Sequence, residues 1–444
     1  MALHSSEGRS LSMVVDCGGS TAKHRKLLAE AFAARARSHD FLAISHLDDD
    51  HINGLEDLKN AGVSFRTVFL PHVDISNYLQ WMTLRLSSRV RAGSLLADFA
   101  RVATLLYGGS FGQVVIVGGP DGDEGPERDR VFKGNTDRAD VLSNETHQAI
   151  ERAKVGRSRF SCSTSLTFDL DWLIRFYSRE WKFPKEVSSI WSLQILQDLQ
   201  NVLSKAGGNL NSAEWTDFSL VLKSELKRRA DPSLAAELIS LVPPTDQRAP
   251  ALAKLGNAVA TTNVSCKKLL SALYGIFSSL HDYNDASLCV YSGPAERGIG
   301  ARRQCFDRRV HSGVLAKGFP TRATTRAVGW IHTGDANLSD KDRLDDFLDH
   351  YLAETPLTST LVLPHHGSRR SFDKHLNRLR ELAAGLANPT VFLAPAEPHG
   401  KFHHPDGDVV HACHHLGDLA IVDKDAISCY SESVTTGWLW SHYW

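Results

Sequence analysis

Within AISHLDDDHINGL, residues 43–55, two histidines and three aspartates fall inside a six-residue window directly behind an apolar run. Imidazole nitrogen and carboxylate oxygen are the ligands that zinc, manganese and iron share. If FLAI is a buried strand, the turn that leaves it lets His46, Asp48, Asp50 and His51 converge on one point, which a straight strand could not do. The bland alternative is an Asp-rich helix cap, and two histidines at this spacing weigh against it. Three more clusters follow apolar runs: Asp335 in WIHTGDANL, His365 and His366 in LVLPHHGSRRS, and His403 and His404 in HGKFHHPDGD. Each alone reads as a surface or hydrogen-bonded histidine pair or a lone acid. Together they favour a single metal site, because strands of one sheet deliver their ends to the same rim.

The elements that must carry these residues are short apolar runs alternating with helical patterns. LSMVVDCGG, AKHRKLLAEAFAARAR, DFLAISHL, HINGLEDLKNAG and TVFLP read as strand, helix, strand, helix and strand, the signature of a layered α/β fold. After Tyr283 strand character returns in ASLCVYSG, AVGWIHTGD, STLVLPHHGS, PTVFLAP and AISCYSES. Between them, LLADFARVATLLYG, WLIRFYSREW, IWSLQILQDLQ, FSLVLKSELKRRA and LLSALYGIFSSL place apolar residues at helical spacing, QVVIV being the exception. The expected organisation is one α/β core, residues 1–76 and 281–444, interrupted by a mainly helical insert, 77–280. The polar tract 121–159 is expected to be a loop.

Composition narrows the class. The chain has 444 residues, 42% of them hydrophobic and 23% charged, and no apolar run approaches the ~18 residues of a membrane-spanning helix. The N-terminus lacks the basic start and apolar segment of a secretory signal. Seven cysteines without C-x-x-C spacing argue against a disulfide scaffold and a cysteine-based zinc site. A cytoplasmic protein with no membrane partner is expected. Fifty Lys and Arg against 51 Asp and Glu give no long-range pull toward nucleic acid, so any such preference is local.

In order along the chain, VVDCGG, SHLDDDHINGL, NDASLCVYSG, HTGDA, LPHHGSRRS and HHPDGDVV resemble the metallo-β-lactamase fold, and specifically its DNA-uptake, ComEC-type branch. The resemblance covers both ends of the chain and not the insert. It implies a four-layered αββα sandwich with a metal site at one edge, holding one or two divalent ions, zinc or manganese. Position by position, His46 and Asp48 would hold one ion, Asp50 and His51 a second, with Asp335 bridging. His365 or His366, the latter preferred, would complete the second site, and His404 would be a further ligand or an acid beside the leaving group. Three departures matter: the strand that usually precedes MVVDCGG is shortened, and Asp48 stands where most of the superfamily has a second His, which makes the site more oxygen-rich and suits manganese. No histidine occurs in YNDASLC, which leaves Asn284 and Ser287 as the nearest polar groups, expected to contact substrate.

Two cations roughly 3.5–4 Å apart lower the pKa of a shared water toward neutrality and stabilise charge on displaced oxygens. On this reading Asp50 orients the attacking hydroxide and His404 or His403 protonates the leaving group. The Arg-rich stretch 297–326, including Arg302 and Arg303, is expected to be a loop beside the metals, with Ser368 and Arg369 adding to a surface for a polyanion. A metal-dependent phosphodiesterase or nuclease follows, acting on nucleic acid or a nucleotide. The resemblance to stand-alone proteins of this branch implies a place in bacterial conflict or antiphage operons, where the insert would bind a protein partner.

Two alternatives stand beside it. One is a small-molecule ester or lactam hydrolase, for which Trp172, Phe176, Tyr177 and Trp181 would line an apolar pocket, although at this spacing they read first as helix core. The other is an interaction module with a degenerate metal site. His72 reads as structural, and HACHH, residues 411–415, as a surface-exposed helical segment. GGSFGQVVIVGG lacks both phosphate-loop and dinucleotide fingerprints, and no G-x-S-x-G elbow occurs.

Overall fold

The computed structural model describes residues 2–4, 10–19, 21–71, 113–117, 165–168, 172–179, 283–295, 301–308, 310–311, 314–315, 323–325, 327–387, 390–398, 403–423 and 429–436. It is a mixed α/β structure. One sheet has five strands in sequence order, β1 (Ala2–His4), β2 (Ser10–Val15), β3 (Ser38–Ala43), β4 (Ser64–Pro71) and β5 (Gln113–Val117), parallel from β2 onward. The other has seven strands. β6 (Ser165–Phe168), β7 (Trp172–Tyr177) and β8 (Cys289–Pro294) run antiparallel at one side. β13 (Gly329–His332), β14 (Thr358–Val362), β15 (Val391–Pro395) and β16 (Asp418–Val422) are parallel to each other, with β13 antiparallel to β8. Two smaller sheets complete the described strands: β9 (Ala301–Arg308) pairs with β12 (Ala323–Thr325) and β17 (Cys429–Thr436), and β10 (Val310–His311) with β11 (Val314–Leu315).

The two large sheets share a core. Met13, Phe41, Phe69 and Val115 of the first pack with Leu166, Trp172, Ile174, Phe176 and Val290 of the second. Phe69 and Phe176 stack with ring centroids 4.6 Å apart. The opposite face of the seven-stranded sheet packs Tyr291, Ile331, Leu361, Phe392 and Leu419 against three helices. α4 (Lys341–His350) brings Leu344 and Phe347, α5 (Asn377–Gly385) brings Leu379 and Leu382, and α6 (Gly407–Leu416) brings Val409, Ala412 and Cys413. Strand period explains the division: Val290 faces the partner sheet while Cys289 and Tyr291 face the helices. Truncating a residue such as Phe176 at the sheet interface would cost about 3–5 kcal/mol. α1 (Ala22–Arg35) is N-capped by Thr21, whose hydroxyl accepts the His24 N–H at 3.3 Å, and lies against α3 (Leu55–Asn60).

Three expectations need correction. Trp172–Tyr177 is a strand, not a helix. Trp172, Ile174 and Phe176 fill the sheet interface while Leu173 faces the helices, so both faces are apolar, and such a run cannot be told from a buried helix by periodicity. Residues 113–117, 165–168 and 172–177 contribute strands to the two large sheets, so these parts of the expected helical insert belong with the core. The Arg-rich stretch is not one loop, since Arg302, Arg303 and Arg308 lie in β9. Apart from Ser178 and Arg179, the rest of the expected insert, including the tract 121–159 and Trp181, lies outside the described residues, as does His72.

Candidate metal centre

Parallel strands release their chains at one edge, and that edge collects the His and Asp clusters. β2 ends into Asp16, β3 into Ser45 and His46, β13 into Asp335, and β14 into His365 and His366. Because β8 is antiparallel to β13, its entrance, with Asn284 and Ser287, lies at the same edge. Asp50 and His51 stand in α2 (Asp49–Ile52), a single helical turn rather than an open loop. The DCGG loop is stitched to that turn: Cys17 N–H donates to the His51 carbonyl at 3.0 Å, and Gly19 and Asn53 exchange two hydrogen bonds of 2.8 and 3.0 Å. A Cβ on Gly18 would overlap the Asp50 carbonyl, so this approach demands glycine.

Asp16, with a left-handed φ of 54°, organises the interior. Its carboxylate accepts from Ser45 N–H at 2.7 Å, Ser45 Oγ–H at 2.6 Å and His51 Nδ1–H at 2.9 Å. With the only Ser45 hydroxyl proton spent on Asp16, the 3.2 Å contact between Ser45 Oγ and His46 Nδ1 requires that nitrogen to donate. His366 Nδ1 likewise donates, to the Pro395 carbonyl at 2.6 Å. Donor counting thus puts a proton on Nδ1 of His46, His51 and His366 and turns three Nε2 atoms toward the carboxylates.

Those Nε2 atoms converge. His46 Nε2 is 3.6 Å from Asp335 Oδ2, and His51 Nε2 is 3.4 Å from Asp335 Oδ1 and 3.8 Å from Asp50 Oδ2. His366 Nε2 is 3.7 Å from Asp50 Oδ2. Three overlapping sets, His46 with His51 and Asp335, Asp50 with His51 and His366, and His46 with Asp48 and Asp50, each hold their donor atoms within 4.8 Å of one another. His51 Nε2 is buried and makes no hydrogen bond among the described residues. Electron pairs of imidazole and carboxylate aimed at one another across such distances suit a cation between them.

Electrostatics agree. Burial raises the Asp16 carboxyl, but the His51 charge and its hydrogen bond outweigh it and hold the group far below the usual carboxylate range. Asp50 is held down in the same way, against burial, by the neighbouring imidazoles of His366 and His51. His51 is pulled down by burial and pushed further up by Asp16 and Asp335, the same carboxylate field that favours a cation beside its Nε2. Burial lowers His46 and, together with His365 and His366, His404.

The expected site residues divide. His46, Asp48, Asp50, His51, Asp335 and His366 come together in the donor sets. His365 stands beside them, with Nδ1 3.8 Å from Asp335 Oδ2 and 3.4 Å from Asn284 Nδ2. His404 packs against His365 with ring centroids 5.7 Å apart and lies outside the donor sets, and His403 is exposed with a left-handed φ of 53°.

Three expected substrate contacts are already engaged. Ser287 is buried, its Oγ accepting the Asp335 N–H at 2.9 Å, so it positions a carboxylate. Ser368 is buried and caps the next turn by accepting Arg370 N–H. Arg369 is held by Asp408 at 2.6 Å and the Lys374 carbonyl at 2.9 Å. The side chains of Arg302 and Arg303 lie outside the description.

No protein-family model, curated protein or solved structure matches this chain. The site therefore stands on its own geometry. Sequence reasoning assigned no role to Asp16, Ser45 or His332, whose Nδ1 accepts the Gly334 N–H at 3.1 Å in the turn before Asp335. The available signal for Asp16 was an acid closing an apolar run ahead of a Gly-Gly pair, while Asp335 drew attention as an acid after an apolar run and a glycine.

Proposed function

We propose that this chain is a metal-dependent hydrolase with the αββα arrangement of the metallo-β-lactamase fold, acting as a phosphodiesterase on nucleic acid or a nucleotide. The observation that carries it is the convergence of His46, His51 and Asp335 with Asp50 and His366, delivered from strand ends of two sheets that share a core. When bound, one or two divalent ions, zinc or manganese, would make a water acidic enough to attack at neutral pH and offset charge on a phosphate. His46, Asp48, Asp50, His51, Asp335 and His366 would hold them, and the carboxylate-rich set around Asp48 suits manganese.

The chain's own groups do the remaining work. Asp16 fixes the His51 ring, and the Pro395 carbonyl fixes that of His366. Asp50, ionised and 58% exposed, faces solvent where it can orient an attacking water. His404, kept uncharged near neutral pH by burial and its histidine neighbours, offers a hydrogen-bonding imidazole beside His365. It serves as a proton donor only once a bound phosphate raises its pKa.

An anionic substrate is favoured over a small apolar one, because Trp172 and Phe176, the aromatics proposed to line a pocket, are spent in the core. The bacterial antiphage setting, and a protein partner for residues 77–280, belong to this proposal through the resemblance alone. The test is metal content of the purified chain with cleavage of labelled single-stranded and duplex DNA in manganese or zinc, for wild type and Asp50→Ala. Cleavage lost in the variant is expected. Bound metal without cleavage would turn the reading toward a small-molecule hydrolase, and absence of bound metal would overturn it.

A further inference from the structure

The motif HACHH lies outside the candidate centre and is divided by its helix. Cys413 and Ala412 face the core, while His411, His414 and His415 are exposed on α6. His411 and His415, one helical turn apart, bring their Nε2 atoms to 3.2 Å, with rings at 89° and centroids 4.5 Å apart. We propose that His411 and His415 form a second, independent metal site on the surface of α6, a bidentate chelate for a transition-metal dication such as zinc.

Three physical arguments carry it. First, two imidazole nitrogens each about 2.0–2.1 Å from a tetrahedral zinc lie about 3.3–3.4 Å apart, so the observed separation needs an adjustment of only a few tenths of an ångström. Second, residues four apart on a helix face the same way, so the chelate forms within one rigid element, without closing a loop. Third, His415 lies in the last turn of α6, where the unpaired carbonyls of the helix end favour a cation. The two rings hydrogen-bond to each other through Nε2, so a proton lies between the nitrogens where an ion would be held. Imidazole selects zinc, copper or nickel over calcium and magnesium, and water completes the coordination.

Equilibrium dialysis of the full chain against zinc alone tests this, comparing wild type with His411→Gln, His415→Gln and the control His414→Gln, each checked for folding by circular dichroism. Either substitution in the pair is expected to remove one bound zinc equivalent, and the control to retain it. The candidate centre is read separately by Asp50→Ala, which should leave the α6 equivalent in place, so failure of one site does not imply failure of the other. Equal zinc binding by wild type and both pair variants would overturn the proposal, as would loss in the control equal to that in the pair.

Discussion

Asp16 and His51, separated by 35 positions in the chain, are joined by a 2.9 Å hydrogen bond between Oδ2 and Nδ1. Nδ1–H donation to a carboxylate sets the ring's tautomer and turns Nε2 toward Asp335 and Asp50. Asp16 thus acts through His51 and not on a substrate.

Replacing the carboxylate tests that role. Asp16→Asn keeps the shape but loses the charge that faces His51 and one acceptor oxygen of the three-bond set with Ser45. Outer partners of metal-bound histidines are worth about 10–100-fold in affinity. Competition against a fluorescent chelator should show a loss of that size with the circular dichroism spectrum retained, and unchanged affinity would remove Asp16 from the site.

Gly334 sits with φ 53° in the turn that places Asp335, and an added Cβ there would overlap Ser287 Oγ and crowd Ser45. Gly334→Ala combines left-handed strain with overpacking, together about 2–4 kcal/mol. Urea unfolding of metal-free protein should show that loss, accompanied by weaker metal binding because Ser287 holds the Asp335 N–H.

His365 and His366 are consecutive left-handed residues, with φ of 49° and 58°. Glycine relieves about 1 kcal/mol at either position. The two sites should differ in metal binding: His366→Gly is expected to lose affinity, since its Nε2 joins the set with Asp50 and His51, while His365→Gly should gain stability and keep most of it. Equal loss in both variants would place both imidazoles on the metal.

His350, on α4 between Tyr177 and Tyr351, is lowered to about 3 by burial and by the charge of Arg175. The unfolded chain takes up this proton near pH 6.5 and the folded protein only near 3. Stability is therefore intact above pH 6.5 and is lost as pH falls toward 3. At pH 5 the loss from this group is about 2 kcal/mol. His350→Gln should flatten the difference between urea midpoints at pH 7 and pH 5, and an unchanged slope would assign the acid sensitivity elsewhere.

The chemistry-bearing residues were readable because ligand types are local facts. His46, Asp48, Asp50 and His51 lie within six positions, and Asp335 and His366 each follow an apolar run, so strand ends and donor types could be read together. The strands β3, β8, β13, β14 and β15 were legible for the same reason, being short apolar runs closed by turn residues. β7 was not, because a strand buried on both faces carries no alternation.

The sequence by itself determined which side chains could ligate a cation, and that an α/β core carries them. Only the tertiary structure decided which of them meet, because convergence depends on parallel pairing and on hydrogen bonds between segments far apart in the chain. Asp16 became the anchor of His51, Ser287 a support for Asp335 in place of a substrate contact, and His404 a neighbour of His365 outside the donor sets. A tautomer, a ring orientation and a buried acceptor are properties of neighbours in space, and spacing along a chain does not encode them.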